Sequence, residues 1–164
     1  MKDPKITVLP AVREDIPHIL RCITELARYE DMLDQVEATE EKLAATLFDR
    51  QAARVLIARY DGVPAGFALY FYNYSTFLAK PGIYLEDLFV LPEYRDRGLG
   101  KALLTTLAKT AVEEGCGRLE WSCLDWNEPS IAFYCAMGAE PLDGWTVYRL
   151  TGDTLTAAAA LAEE

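Results

Sequence analysis

What this chain of 164 residues lacks narrows its chemistry first. It has a single histidine, His18, and four cysteines, Cys22, Cys116, Cys123 and Cys135, no two of which form a C-x-x-C pair. A thiolate and imidazole zinc site is hard to assemble from that set, so no metal is expected. The cysteines read as small apolar core fillers in a reducing compartment. The opening "MKDPKITVLP" carries no apolar stretch of signal-peptide type. Membrane-length hydrophobic runs are missing too: the uncharged stretch from Gly62 to Ala79 is interrupted by Pro64, Gly66, Asn73, Ser75 and Thr76, and its aromatics follow strand periodicity. A cytoplasmic protein with no membrane partner is expected. Basic residues are scarce, 16 against 26 acids, for a formal charge of -10. Such a field repels phosphate polyanions and draws small cations, so nucleic acid is not an expected partner. With no repeats, linkers or low-complexity blocks, the length fits one domain, residues 1–164.

What is present reads as alternating strands and helices. "KITVL" (Lys5 to Leu9) predicts a strand, and Ile16, Ile19, Leu20, Ile23, Leu26 and Ala27 then form one helical stripe. Thr39 before Glu40 and Glu41 caps a second helix that buries Leu43 and Leu47. "RVLIARY" and "AGFALYFYNY" flank a hairpin turn at Asp61-Gly62-Val63-Pro64, and "IYLEDLFV" (Ile83 to Val90) adds a strand. Leu99, Leu103, Leu104, Leu107 and Ala111 have helical spacing, with Gly115 and Gly117 at the helix end. "RLEWSCL" predicts a strand, "PSIAFYCAM" a helix, "TVYRL" a final strand, and the tail from Asp153 a short helix. Hairpins mixed with strand-helix-strand units imply an α/β fold built on one mixed sheet.

One loop concentrates the scarce positive charge. In "EYRDRGLGKALLTTLAKTA", Arg95, Arg97 and Lys101 surround Gly98 and Gly100 where a strand hands over to a helix. Unpaired N–H groups at a helix start favour an anion, and glycines let a phosphate approach the main chain. A P-loop is excluded, because Arg95 and Ala102 occupy positions that need Gly and Ser or Thr; a dinucleotide fingerprint is excluded by Leu103. The loop by itself reads equally well as a phosphate site or as a glycine-bearing turn capped by surface arginines.

The wider sequence adds a resemblance. "YRDRGLGKALL" is similar to the R-x-x-G-x-G signature of the GNAT superfamily of acetyltransferases, and "ELARYE", "YLEDLFVLPEYR", "LDWNEPSIAFY" and "MGAEPL" follow in the order of its spermidine/spermine N-acetyltransferase branch, with a lean toward the thialysine-acetylating relatives. The resemblance implies the GNAT fold, a central mixed sheet flanked by helices, and acetyl-CoA as cosubstrate. It implies that Leu88, Phe89 and Val90 offer main-chain groups to the pantetheine arm and thioester. Asp96, Arg97, Gly98, Leu99, Gly100 and Lys101 would wrap the pyrophosphate, with charge from Arg95. Asn127, Glu128, Pro129 and Ser130 would lie along the cofactor's other side. Tyr29, Glu30 and Glu86 correspond to positions that contact the amine substrate, and a homodimer is implied. Asp96 stands where the family's loop often has glycine and is expected to point outward. Cys135 and Ala136 replace basic residues that commonly follow the helix tyrosine.

The implied reaction sets requirements that named residues can meet. An alkylamine with a reference pKa near 10 is mostly protonated at neutral pH, so a proton acceptor is useful. Glu86 suits that role through water, or else recognises the substrate cation; Asp87 is expected on the opposite face of the strand and structural. The resemblance selects Tyr134 as proton donor to the departing thiolate, with Phe133 and Tyr134 diverging by roughly 100° so that only one enters the core. An oxyanion would meet a main-chain N–H near Phe89. A covalent acetyl-cysteine route is disfavoured because no histidine follows the first helix to activate a thiol. The expected activity is N-acetylation of a small diamine, polyamine or thialysine-like amino acid by direct transfer in a ternary complex. The alternatives are acetylation of protein N-termini or lysines, and a non-catalytic acyl-CoA sensor.

Overall fold

The computed structural model describes residues 3–162. Their strands and α-helices run β1 (Ile6–Pro10), α1 (Ile16–Tyr29), α2 (Glu40–Leu43), β2 (Arg54–Tyr60), β3 (Val63–Ser75), β4 (Lys80–Val90), α3 (Leu99–Glu113), β5 (Leu119–Trp121), α4 (Glu128–Ala136) and α5 (Gly152–Ala159). The chain divides into two compact units, Met1–Ser122 and Cys123–Glu164.

The first unit holds the sheet. Its strands lie in sequence order, antiparallel except for the parallel pair β4 and β5, which makes the sheet mixed as expected. The apolar stripe of α1 buries Ile16, Ile19 and Cys22 against Val55, Ile57, Phe67, Phe89 and Leu91. Gly100 of α3 faces Leu88 and Val90, the alternate residues of β4, so α3 covers the other face with Leu99, Leu103, Leu104, Leu107 and Ala111 buried. Asp15 ties the start of α1 to the sheet: its Oδ2 accepts from the Val12 N–H at 2.8 Å and its Oδ1 from Arg59 at 2.7 Å. Thr39 caps α2, accepting from the Lys42 N–H, and a π-helical segment (Ala44–Asp49) extends that helix.

Two sequence expectations are corrected. The strand read over "RLEWSCL" is only Leu119–Trp121, because β4 pairs with it at Ile83, Tyr84 and Leu85 alone. The final strand read at "TVYRL" does not form: those residues have no regular secondary structure, and their side chains are exposed. Strand propensity fixes neither length nor a partner. The second unit contains α4 and α5; Asn127 caps α4, its side chain accepting from the Ser130 N–H.

Candidate active site

The site in the first unit is built on two irregularities of β4. Along β3, Leu69 pairs with Asp87 but Tyr70 pairs with Leu85, so Glu86 is an extra residue in β4. Such a bulge sets two residues against one and breaks the period-two alternation. The expectation that Asp87 takes the face opposite Glu86 rests on unbroken alternation, which the bulge interrupts. Asp87 is half-buried, and desolvation, then the charges of Glu86 and Glu30, pushes its carboxyl up to about 6. Glu30, just past the end of α1, is raised as well, by burial. Glu86 itself is exposed. Three carboxylates that repel one another suit a cationic ligand, whose charge would relieve the repulsion.

The second irregularity is an open edge. β4 runs to Val90, but its parallel pairing with β5 stops at Leu85 opposite Trp121. On its other side, Leu88, Phe89 and Val90 remain paired with Ala68, Phe67 and Gly66. Beyond Leu85 the β5-facing edge of β4 thus offers main-chain groups to a ligand rather than to a strand.

At the top of that edge the chain turns into α3. Gly98 is the N-cap with φ +89, a left-handed conformation that suits glycine, and no side chain caps the helix. The Ala102 N–H donates to the Gly98 C=O at 3.0 Å, and the N–H groups before it, like those of any first helical turn, have no intrahelical acceptor. A Cβ at Gly100 would meet nothing nearer than Leu88 at 3.8 Å and Val90 at 4.0 Å. The protein does not itself require glycine at 100, because an added Cβ would make only ordinary contacts there. Asp96, exposed, also takes a left-handed φ of +61.

The basic residues of the turn are not equivalent. Arg97 lies over the rings of Tyr60 and Tyr94 at 4.8 and 5.6 Å. Arg95 donates through Nε to the Val90 carbonyl at 3.2 Å and lies over Tyr29 and Phe89 at 5.4 and 5.2 Å. Tyr29, from the acceptor set, and Arg95, from the cofactor set, are thereby brought together. Lys101, exposed on the first turn of α3, has no such ring contact among the described residues.

In the second unit, Asn127 is buried at the N-cap, with Glu128 and Pro129 exposed and Ser130 half-buried in the first turn of α4. Phe133 and Tyr134 do not diverge. Both are half-buried, and their rings stack with centroids 5.4 Å apart and planes 25° apart.

A strand opened at its edge, a glycine-bearing turn and a helix start without a side-chain cap thus lie in sequence along one stretch of chain. A model of the Acetyltransferase (GNAT) family matches residues 18–139. The chain belongs to the GNAT acetyltransferase family. It is an N-acetyltransferase that uses acetyl-CoA, as GNAT acetyltransferases do. It is 36% identical to an L-ornithine N5-acetyltransferase of Arabidopsis thaliana, over 90% of this chain and 85% of that protein. It is also 36% identical to a thialysine N-epsilon-acetyltransferase of Bos taurus, over 92% of this chain and 95% of that one. An integron cassette protein from the mobile metagenome of V. cholerae superposes with a TM-score of 0.78 at 25% identity, covering 96% of this chain and 99% of that one.

The GNAT site has no activated thiol in α1. Cys22 Sγ lies 3.5 Å from His18 Nε2, a pair one helical turn apart. Burial pushes the Cys22 thiol up to about 12 and lowers the His18 pKa, so both groups are held neutral. Sequence reasoning missed Asp87 as a member of the acidic set and Tyr60 and Tyr94 as the rings under Arg97. The adjacent pair Glu86-Asp87 was visible, but a bulge has no reliable one-strand signature.

Proposed function

We propose that the chain transfers acetyl from acetyl-CoA to a primary amine of a small diamine, polyamine or thialysine-like amino acid, by direct transfer in a ternary complex. The observation that carries the reading is the bulge at Leu69, which sets Glu86 beside Asp87 within the field of Glu30. A carboxylate raised first by burial and then by two neighbouring acids matches an acceptor with more than one ammonium group, whose charge would offset both. The names of the ornithine- and thialysine-acetylating relatives support the same class of small diamino compound.

Acetyl-CoA supplies an acetyl group activated as a thioester. Leu88, Phe89 and Val90 hold its arm through main-chain groups, and a main-chain N–H near Phe89 meets the carbonyl oxygen as charge develops there. Asp96 to Lys101 hold the pyrophosphate, with Arg95 near it, and Asn127, Glu128, Pro129 and Ser130 contribute from α4. Tyr29 and Glu30 orient the acceptor, joined by Asp87. Glu86 takes the proton that the ammonium must lose before its nitrogen can attack, through water. The new C–N bond forms as the C–S bond breaks, and the Tyr134 hydroxyl gives its proton to the departing sulfur. Phenol and thiol have similar reference pKa values, so this transfer needs little driving force. The protein acts as a homodimer in the cytoplasm, without a metal.

An amine panel with acetyl-CoA, followed by thiol release, tests the reading. Diamines and diamino acids are expected to exceed monoamines and peptides in kcat/KM by at least roughly tenfold, on the scale of one lost ion contact. Preference for peptides would replace the proposal with protein acetylation. Coenzyme binding without turnover on any amine would replace it with a sensor.

A further inference from the structure

Where β1 ends and β2 begins, the first unit holds a cavity of about 230 Å³ that none of Tyr29, Glu30, Glu86 and Asp87 lines. Leu47, Phe48 and Val55 supply apolar walls, while Gln51, Arg54 and Tyr70 bring polar groups to the same space. Two backbone irregularities shape it. Leu47 and Phe48 belong to the π-helical segment, whose wide turns set the Arg50 N–H on the Ala45 carbonyl at 2.9 Å and the Ala52 N–H on the Thr46 carbonyl at 2.8 Å. Gln51 then takes a left-handed φ of +54, a conformation that strains any residue with a Cβ. Both features cost the fold something, and both kinds gather at functional sites.

Charge indicates the class of ligand. In a chain of net charge -10, Arg50 and Arg54 have no ion pair among the described residues, and the neighbouring Asp49 carboxylate is already held by Arg13 at 2.9 Å. The Tyr72 ring, 5.5 Å from the guanidinium, steadies Arg54 beside the cavity. Tyr70 is 7% exposed, and its hydroxyl makes no hydrogen bond among the described residues. A guanidinium and a phenol left without polar partners suit one carboxylate. The apolar walls limit what else the ligand carries: a dry cavity of about 150 Å³ admits benzene, so the space here takes a single ring and its carboxylate. We infer that this cavity is a binding site for a small aromatic monocarboxylate, its ring against Phe48 and its charge on Arg54 and the Tyr70 hydroxyl, separate from the acceptor and acetyl-CoA sites.

Titration calorimetry of the full chain with benzoate and with phenylacetate, in the absence of acetyl-CoA and amine, tests the inference. A dissociation constant below about 1 mM is expected for at least one of the two. Benzyl alcohol, which lacks the charge, and acetate, which lacks the ring, should each bind at least tenfold more weakly. Arg54→Gln removes an exposed guanidinium, so the melting temperature should hold while the dissociation constant rises at least tenfold. Ala53→Leu fills the lining and should weaken binding as much. Saturating coenzyme A or a diamine should leave the wild-type constant in place. None of these readouts needs turnover, so they stand apart from the amine proposed as acceptor. Binding of both carboxylates weaker than about 1 mM overturns the inference. So does equal binding of benzyl alcohol, which would make the cavity an apolar void only, or an affinity that Arg54→Gln leaves unchanged. Displacement by coenzyme A or the diamine would put the carboxylate in the reaction's own site and overturns it as well.

Discussion

The proposed proton traffic divides among single residues, and each division has a separable signature. Tyr134→Phe removes one hydroxyl from a ring stacked on Phe133 and leaves the stack. Acetyl-CoA binding by calorimetry should be unchanged while kcat falls by roughly 10²-fold, the usual size of a lost general acid. Glu86→Gln should lower kcat at saturating amine and be partly rescued by raising the pH, which supplies neutral amine; a loss confined to KM would leave Glu86 a recognition charge only. Asp87→Asn speaks to stability. Its carboxyl has a folded-state pKa of about 6 against an ordinary 3.8, so the folded chain binds more protons between those values and wild-type stability declines as pH rises through them. Asp87→Asn should therefore match the wild type in denaturant near pH 4 and exceed it near pH 7, by at most about 3 kcal/mol at 1.36 kcal/mol per pKa unit. KM for a diamine should rise in the same variant. A variant no more stable at pH 7 would show that burial and the neighbouring carboxylates do not strain the Asp87 charge.

At the scale of the element, the turn into α3 separates two uses of glycine. Gly98 has φ +89, so Gly98→Ala should destabilise the fold by about 1–2 kcal/mol through backbone strain alone. Gly100 sits within α3, and an added Cβ has ordinary contacts at 3.8 and 4.0 Å. Gly100→Ala should leave the melting temperature unchanged or raised, since alanine favours a helix. Its coenzyme A affinity should fall at least tenfold, as read by calorimetry, if the phosphates approach the main chain of this turn as proposed. Equal affinity in Gly100→Ala would move the pyrophosphate away from this turn. The bulge in β4 is an element-scale device as well: it needs β3 alongside to set Leu69 against two residues, and an isolated strand could not hold Glu86 in that way.

For the whole molecule, the charge of -10 would act on the proposed cationic acceptor before contact. A di-cation is drawn by the net field and by the acidic set, and both attractions are screened beyond a Debye length of about 8 Å near physiological salt. Raising salt from about 0.02 to 0.3 M should raise KM for a diamine several-fold, raise it less for a monoamine, and leave kcat in place. Equal salt dependence for the two acceptors would show that only near contacts matter.

Much of this was written in the sequence. Apolar stripes in α1 and α3, the Thr39 cap and the hairpin at Asp61-Gly62 depend on neighbours within a few residues, so periodicity and turn chemistry alone determined them. The loop from Arg95 to Lys101 is equally local. Non-local pairing decided the rest. Register against β3 makes Glu86 an extra residue, the short reach of β5 opens the edge of β4 after Leu85, and the rings of Tyr29, Tyr60 and Tyr94 take up two of the three basic side chains in the turn. "TVYRL" shows the difference most plainly. Its residues favour a strand, but a strand exists only where another supplies the facing N–H and C=O groups, and that depends on what lies beside it in space.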